Sequence, residues 1–239
     1  MRRRIVFLGL IVGICAACLV IPLFPSCPLN SFLNWGMIAT ILVTLTILAL
    51  LFEFDTAKVS SREIAVIAML SAVSVVSRIP FAAIPSVQPC TFLIACSGYV
   101  FGPIAGFMVG AITALVSNFF LGQGPWTPYQ MFAWGLVGIT AAGLRHFDLN
   151  VKWLIAFGII WGYLFGWITN TWFWTSLIYP LTFRTWIIAQ LNSVWFDTLH
   201  AISNAVLLGF FGMKTIAILE RYKKHFSWVY SPEDDVGEV

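Results

Sequence analysis

The sequence predicts an all-α polytopic membrane protein, and three observations support this fold class. The chain of 239 residues is 60% hydrophobic and only 10% charged, whereas about a quarter of the residues in a soluble domain are charged. It contains several apolar runs close to the roughly 20 residues that a helix needs to cross a bilayer. These runs are continuous rather than alternating, which favours helices over a closed barrel, the other structure that pairs every backbone amide in lipid.

We place eight candidate spans along the chain, separated by polar, charged or proline-containing segments. They are 5–21, 36–52, 62–79, 91–101, 104–121, 129–144, 152–176 and 187–213. The first follows a basic MRRR start, so a signal peptide is an alternative for this segment, although a clean A-x-A cleavage site is missing. The topology of the remaining spans is the same in either case.

The distribution of Lys and Arg indicates the orientation of the spans. Eleven of these residues fall on one side if every span crosses, namely Arg2, Arg3, Arg4, Lys58, Arg62, Arg145, Lys152, Lys214, Arg221, Lys223 and Lys224. Only Arg78 and Arg184 fall on the other side. Because cytoplasmic loops carry the excess of Lys and Arg, this bias predicts that both termini are cytoplasmic.

The span at 91–101 is short, since its residues cover only about 16 Å as a helix. The orientation of Arg145 and Lys152 nevertheless requires this segment to cross. We therefore expect the irregular chain at 79–90 to complete it, because non-helical backbone at membrane depth is tolerated where it lines a cavity.

Two spans contain small residues at intervals of four, which is typical of closely packed membrane helices. The first series passes through Gly106 and Gly110 and leads to Asn118. The second passes through Gly162 and Gly166 and leads to Asn170. Helix packing explains the glycines, but an uncompensated amide in lipid is costly, so the asparagines are candidates for a polar site near the outer surface.

The last span carries one polar stripe on an otherwise apolar helix. Gln190, Ser193, Asp197, His200 and Asn204 recur at intervals of three or four residues. Asp197 and His200, one turn apart, could pair and so lower the cost of burying each other. Intramembrane ionisable residues are candidates for function, and the alternative interpretation is a structural hydrogen-bond network between helices.

Two external segments, RIPFAAIPSVQPC at 78–90 and GQGPWTPYQ at 122–130, combine prolines with polar and aromatic side chains. Proline restricts the backbone and favours a shaped surface. Trp126 offers a stacking face, although an interfacial anchor is the usual role of a tryptophan at this height. The sequence thus predicts one outward-facing binding site, formed by Gln88, Asn118, Gln123, Trp126, Gln130, Asn170, Gln190, Asp197, His200 and Asn204.

Three stretches resemble the substrate-specific S-component of an energy-coupling factor (ECF) vitamin transporter. They are SREIAVIAMLSAVSVVSRIPF, FGPIAGFMVGAITALVSNFFLGQGPWTPYQMFAWGLVG and WFDTLHAISNAVL. The resemblance implies a six-helix, S-component-like core at 59–215 that captures a vitamin from outside. This core is preceded by two further transmembrane helices of unknown role at 1–58 and followed by a cytoplasmic tail at 216–239.

The resemblance also implies partners and a ligand. Small residues of the first core helix, here Ala68 and Ala72, would dock onto a transmembrane coupling subunit driven by two cytoplasmic ATPases. The members most similar to this chain suggest cobalamin or a related corrinoid, with another vitamin or precursor as the alternative. No resident cofactor or metal and no nucleic-acid partner is expected. The sequence lacks a G-x-x-x-x-G-K-[ST] loop, so ATP hydrolysis would come from the partners.

Two other classes of function remain open. A stand-alone secondary carrier would fit the spans, but the sequence shows no obvious inverted repeat or charged coupling site. An integral-membrane enzyme would have to use Asp197 and His200, which no nucleophile or metal-ligand set accompanies. We therefore expect a transporter subunit rather than an enzyme.

Overall fold

The computed structural model of the protein describes residues 35–56 and 60–227. Within those residues the chain forms helices and no strands. The helices are α1 (Trp35–Thr56), α2 (Ser61–Arg78), α3 (Pro89–Phe101), α4 (Pro103–Leu121), α5 (Thr127–Gly143), α6 (Val151–Leu177), α7 (Phe183–Leu207) and α8 (Met213–Ser227). The predicted all-α fold is confirmed.

The predicted spans and the observed helices correspond closely. The first span, 5–21, lies outside the described residues, and the other seven fall on α1 to α7. In the described part of the chain, four helical segments are long and apolar enough to cross a membrane: Ser61–Ala83, Pro103–Leu121, Val151–Leu177 and Phe183–Lys224. The helices α3 and α5 are shorter, with 13 and 17 residues. The chain is thus a multi-pass membrane protein that packs short helices among long ones.

Helix boundaries follow local sequence features. Ser60 and Glu63 form a capping box at the start of α2, in which the Ser60 amide donates to the Glu63 carboxylate at 2.8 Å. Prolines begin α3 and α4, where a missing amide proton costs nothing. Between these two helices Gly102 has a φ of 98°, a conformation that glycine adopts readily. The chain therefore reverses between α3 and α4 without a loop.

Successive core helices run in opposite directions, which gathers the polar side chains at one end of the bundle. This polar end contains Arg78 at the end of α2, Gln88 before α3, Asn118 near the end of α4 and Gln130 near the start of α5. The segment expected to complete the span of α3 is divided: Ile79–Ala83 forms a short 3₁₀ helix that continues from α2, and α3 begins at Pro89.

The opposite end of the bundle, which we call the basic end, is stabilised by two cations. The carbonyl oxygen of Val100, in the last turn of α3, accepts hydrogen bonds from Arg145 Nη2 at 2.6 Å and Lys223 Nζ at 2.7 Å. Cations are favourable at a helix C-terminus, where unpaired carbonyls carry partial negative charge. The short helix α3 therefore connects the polar end with the basic end.

Glycines allow the central helices to approach one another closely. A Cβ atom on Gly138 of α5 would lie 2.2 Å from the backbone of Gly106 in α4, and a Cβ on Gly98 of α3 would lie 2.0 Å from the Gly138 carbonyl oxygen. Three helices thus meet backbone to backbone at these positions. The predicted packing role of the glycine series is confirmed for Gly106.

The last core helix extends further than predicted. A π-helical turn, Leu208–Gly212, joins α7 to α8, so the helical chain continues to Ser227. Part of the segment expected to be a tail is therefore helical, and its Lys223 reaches α3. At the other end of the chain, α1 packs beside α5 and α6 and covers one side of the core.

The close approach of α4 and α5 predicts a sharp difference between two glycines of α5. Gly138→Ala should lower the free energy of unfolding by about 1–3 kcal/mol, since the added methyl group overpacks the contact with Gly106. Gly143→Ala is the matched control, because no atom lies within 4 Å of the added Cβ. Thermal unfolding in detergent measures both variants, and equal melting temperatures would contradict the packing assigned to Gly138.

Candidate functional site

A cavity of about 290 Å³ lies at the polar end of the bundle. Residues from the segment before α3, from α5, from α6 and from α7 form its wall. They are Ser86, Gln88, Gln130, Phe165, Gly166, Thr169, Asn170, Ser193, Phe196, Asp197 and His200. Most of these side chains are polar, which is unusual inside a membrane bundle and characteristic of a binding or transport site.

Arg78 holds one side of this cavity from behind. Its side chain is 6% exposed, and its Nε donates to Gln88 Oε1 at 2.9 Å, while Nη1 donates to Asn118 Oδ1 at 2.8 Å and to Ser117 Oγ. The guanidinium also lies 4.7 Å from the ring centroid of Trp134, within the range of a cation–π interaction. No carboxylate pairs with Arg78 among the described residues. Neutral acceptors and an aromatic ring therefore hold this buried cation.

A second set of contacts fixes His200 at the back of the cavity. Thr91 Oγ1 lies 3.0 Å from His200 Nε2 and accepts a hydrogen bond from Trp134 Nε1 at 3.0 Å. Phe165 packs edge-on against the imidazole, with ring centroids 5.0 Å apart. Because Nε2 is engaged by Thr91, Nδ1 is the ring nitrogen that remains for a ligand.

Asp197 belongs to the part of the wall that α6 and α7 form, and it is 5% exposed. Its Oδ2 accepts a hydrogen bond from Ser193 Oγ at 2.8 Å. Ser193 in turn accepts from Asn170 Nδ2 at 2.6 Å, and the same nitrogen donates to Gln190 Oε1 at 3.0 Å. A Cβ atom on Gly166 would lie 1.9 Å from Asp197 Oδ1, so the carboxylate occupies the space that this glycine leaves open on α6.

Seven of the ten predicted binding residues lie in or directly behind the cavity wall. Gln88, Gln130, Asn170, Asp197 and His200 line it. Asn118 donates to Gln130 Oε1 at 2.7 Å, and Gln190 is bound by Asn170, so these two support lining residues. The structure brings polar groups from several separate segments to one place.

The other three predicted residues lie away from the wall. Gln123 is exposed and donates to the carbonyl of Leu115 at 2.8 Å, which fixes the loop. Trp126 packs edge-on against Trp172 with centroids 5.4 Å apart. Asn204 is completely buried and donates to the Gly158 carbonyl at 3.3 Å. The stripe on α7 therefore divides: its outer part faces the cavity, and its inner residue Asn204 joins α7 to α6.

The pairing of Asp197 with His200 that the sequence suggested does not form. Asp197 bonds to Ser193 and His200 bonds to Thr91. The partner of Asp197 lies one turn earlier on α7, and the partner of His200 lies on α3. The spacing of Asp197 and His200 by one turn therefore brings both to the same cavity, but they do not bond to each other.

Sequence reasoning missed part of the wall and the residues behind it. Phe165, Phe196, Thr169 and Ser86 carry no sequence feature that separates them from neighbouring residues. Arg78 did carry such a feature, because it is a cation at the end of a span on the side where Lys and Arg are rare. That feature was interpreted only as part of the charge bias that indicates the orientation of the spans. Gly166 belonged to the glycine series interpreted as helix packing, whereas its space is filled by Asp197.

The residues expected to dock onto a partner lie on the surface of the bundle. Ala68 and Ala72 are exposed on α2, on the same side as Met69, Val73 and Val76. The buried side of α2 carries Val66, Ile67, Leu70 and Val75 instead. One apolar face of this helix thus packs on the core, and another is left uncovered.

Fold and site together define a multi-pass helical membrane protein with a small polar cavity at one end of a six-helix core. The model of the ECF transporter substrate-specific component family matches residues 62–211, which extend from α2 to the π-helical turn after α7. The chain belongs to this family, as its resemblance indicated, and proteins of this family are transporter subunits rather than enzymes. No curated protein and no solved structure matches the chain.

The three hydrogen bonds of Arg78 predict that lysine cannot replace it. Arg78→Lys keeps the charge but loses the fork that reaches Gln88, Ser117 and Asn118 together, and we expect a loss of about 1.5–3 kcal/mol in the free energy of unfolding. Arg184→Lys, at an exposed position, is the control and should be neutral. If the two variants unfold at the same temperature in detergent, the role given to the guanidinium is wrong.

Proposed function

We propose that this protein is the substrate-binding subunit of an ECF-type importer, which captures a vitamin from outside and delivers it through an ATPase-driven coupling module. The observation that carries the proposal is the position of the polar cavity, which opens at the end of the core opposite Arg145 and Lys223. Because basic residues favour the cytoplasmic side, both termini would be cytoplasmic and the cavity would face outward. Family membership supports the same role.

The size of the cavity bears on the ligand. Ligand pockets have volumes of about 300–1,000 Å³, and this cavity of about 290 Å³ lies at the lower limit. Cobalamin or a related corrinoid is larger, so binding it would require residues 79–88 and 122–130 to move apart. Another vitamin or a vitamin precursor of smaller size would fit the cavity as it stands.

The two external segments would form the gate over this cavity. Ser86 and Gln88 from the first segment and Gln130 from the second belong to the wall. Trp126 lies outside the wall, and its contact with Trp172 connects the second segment to α6. We propose that Trp126 acts by holding this segment closed, with its ring available to a ligand when the gate opens.

The uncovered face of α2 would be the docking surface for the coupling subunit. Ala68 and Ala72 make this face shallow, so a helix of the partner could approach closely. In this proposal ligand capture and docking use different sides of the same core, and the two can be separated by mutation.

Ligand identity is tested on the full chain purified in mild detergent and incubated with a vitamin mixture that includes cobalamin. We expect mass spectrometry to detect one retained compound, and an absorption spectrum to reveal a corrinoid if that is the ligand. Asp197→Ala and Trp126→Ala should reduce retention while the protein stays inserted and folded. A folded protein that retains none of the vitamins would contradict the receptor role.

The docking proposal predicts that Ala68→Leu combined with Ala72→Leu leaves ligand retention unchanged and abolishes uptake in cells that contain the coupling subunit and ATPases. The control is Val194→Leu with Val206→Leu, which enlarges two exposed positions of α7 by one methylene group each and should transport normally. Normal uptake by the variant with both Ala68→Leu and Ala72→Leu would refute the docking surface. Uptake by this chain without ATPases would favour the alternative of a stand-alone carrier.

An integral-membrane enzyme remains the weaker alternative. Asp197 and His200 were the candidate catalytic pair, and their hydrogen bonds go to Ser193 and Thr91 rather than to each other. A search for chemical change in the retained compound would test this alternative in the same mass spectrum.

A further inference from the structure

The orientation of the side-chain amides in the cavity is fixed by Arg78 on one side. Arginine can only donate hydrogen bonds, so the side-chain oxygens of Gln88 and Asn118 must point toward it. The Asn118 nitrogen then donates to Gln130 Oε1 at 2.7 Å. Both glutamines thereby use their oxygens within the protein, and each keeps its NH₂ group for the cavity.

The part of the wall formed by α6 and α7 has the reverse polarity, which begins at Asp197. An ionised carboxylate can only accept hydrogen bonds, so the Ser193 hydroxyl, which also lies 3.0 Å from the Gln190 carbonyl oxygen, donates to Asp197 at the shorter distance of 2.8 Å. The Ser193 oxygen accepts from the Asn170 nitrogen. Asn170 therefore uses its NH₂ group within the protein and keeps its oxygen. Asp197 Oδ1 likewise has no hydrogen-bond partner among the described residues. This side of the cavity presents acceptors.

Among the described residues, no cation pairs with the Asp197 carboxylate. Asp197 is 5% exposed, and a buried carboxylate is costly unless a positive group or several donors compensate it. The two nearby cationic or titratable side chains are engaged elsewhere, Arg78 with Gln88, Ser117 and Asn118 and His200 with Thr91. The structure thus contains a buried acceptor that no described residue of the protein neutralises.

We infer that the cavity selects a small ligand whose cationic or N–H-bearing nitrogen group binds Asp197, while an acceptor group of the ligand faces Gln88 and Gln130. This inference rests on the proposed function and names the chemical class of its substrate. Phe165 and Phe196 form apolar parts of the wall, so the body of the ligand is apolar or aromatic. An anionic ligand would meet the Asp197 carboxylate and bind poorly.

Three probes of nearly equal shape test the inference: benzamidine, which is cationic, benzamide, which is neutral, and benzoate, which is anionic. Isothermal titration on the detergent-purified full chain should rank their affinities in that order. Asp197→Asn should weaken benzamidine binding by at least about tenfold, the value of one charge-assisted hydrogen bond, and remove its advantage over benzamide. Asp148→Asn, at an exposed position near the basic end, should leave the ranking unchanged.

Several results would overturn the inference. They are a preference for benzoate, a ranking that persists in Asp197→Asn, and no binding of any probe by folded protein. Thermal unfolding of the ligand-free variant adds a separate test. Asp197→Asn should raise the melting temperature, because it removes a buried charge that no cation of the described residues neutralises, whereas a purely structural carboxylate would make the variant less stable.

The result is distinguishable from failure of the proposed function. A protein that retains a vitamin and drives coupled uptake, yet shows no charge preference among the probes, would keep the receptor role and overturn the Asp197 assignment. A protein with the expected ranking that never assembles with a coupling subunit would keep the Asp197 assignment and refute the importer role.

Discussion

The buried guanidinium of Arg78 is the interaction on which the polar end of this protein depends. It joins the end of α2 to Gln88 before α3, to Asn118 of α4 and to the indole of Trp134 in α5. A carboxylate partner would have neutralised it locally and ended the network there. Two of its acceptors, Gln88 and Asn118, are neutral amides whose oxygens must face the guanidinium. Their NH₂ groups therefore point away from Arg78, and this orientation extends the direction of hydrogen bonding to the cavity wall.

This network requires helices that approach closely and end at the same level. The backbone contact of Gly138 with Gly106 brings α4 and α5 together, and the reversal at Gly102 sets α3 directly against α4. At the basic end Arg145 and Lys223 hold the last turn of α3. The short α3 is thus fixed at both ends, which positions Thr91 against His200. The close packing below the cavity therefore fixes the positions of the side chains that line its inner part.

Sequence patterns identified several of the residues that line the polar cavity but did not separate lining residues from supporting ones. The periodicity of α7 placed Asp197, His200 and Asn204 on one face, and all three are buried. A polar stripe on a helix can extend beyond the cavity that part of it lines. Asn204 is such a case, because it donates to the backbone of α6 and does not line the cavity. The glutamines of the external segments were a comparable case, since Gln130 lines the cavity while Gln123 fixes its own loop. Whether a residue lines the cavity or supports it depends on where its helix begins and on the orientation of that helix about its own axis. The spacing of residues along the chain does not specify either.

The sequence by itself determined the all-α membrane fold, because composition and continuous apolar runs leave helices as the structure that satisfies the backbone in lipid. It also determined the family, through extended motifs that the family model matches. Only the tertiary structure decided which partner each polar group takes. Asp197 lies beside Gly166 and apart from His200, and Arg78 meets amides instead of an acid. The physical reason is that hydrogen bonds and buried charges depend on distances of a few ångströms between helices, which are fixed by packing across the whole bundle.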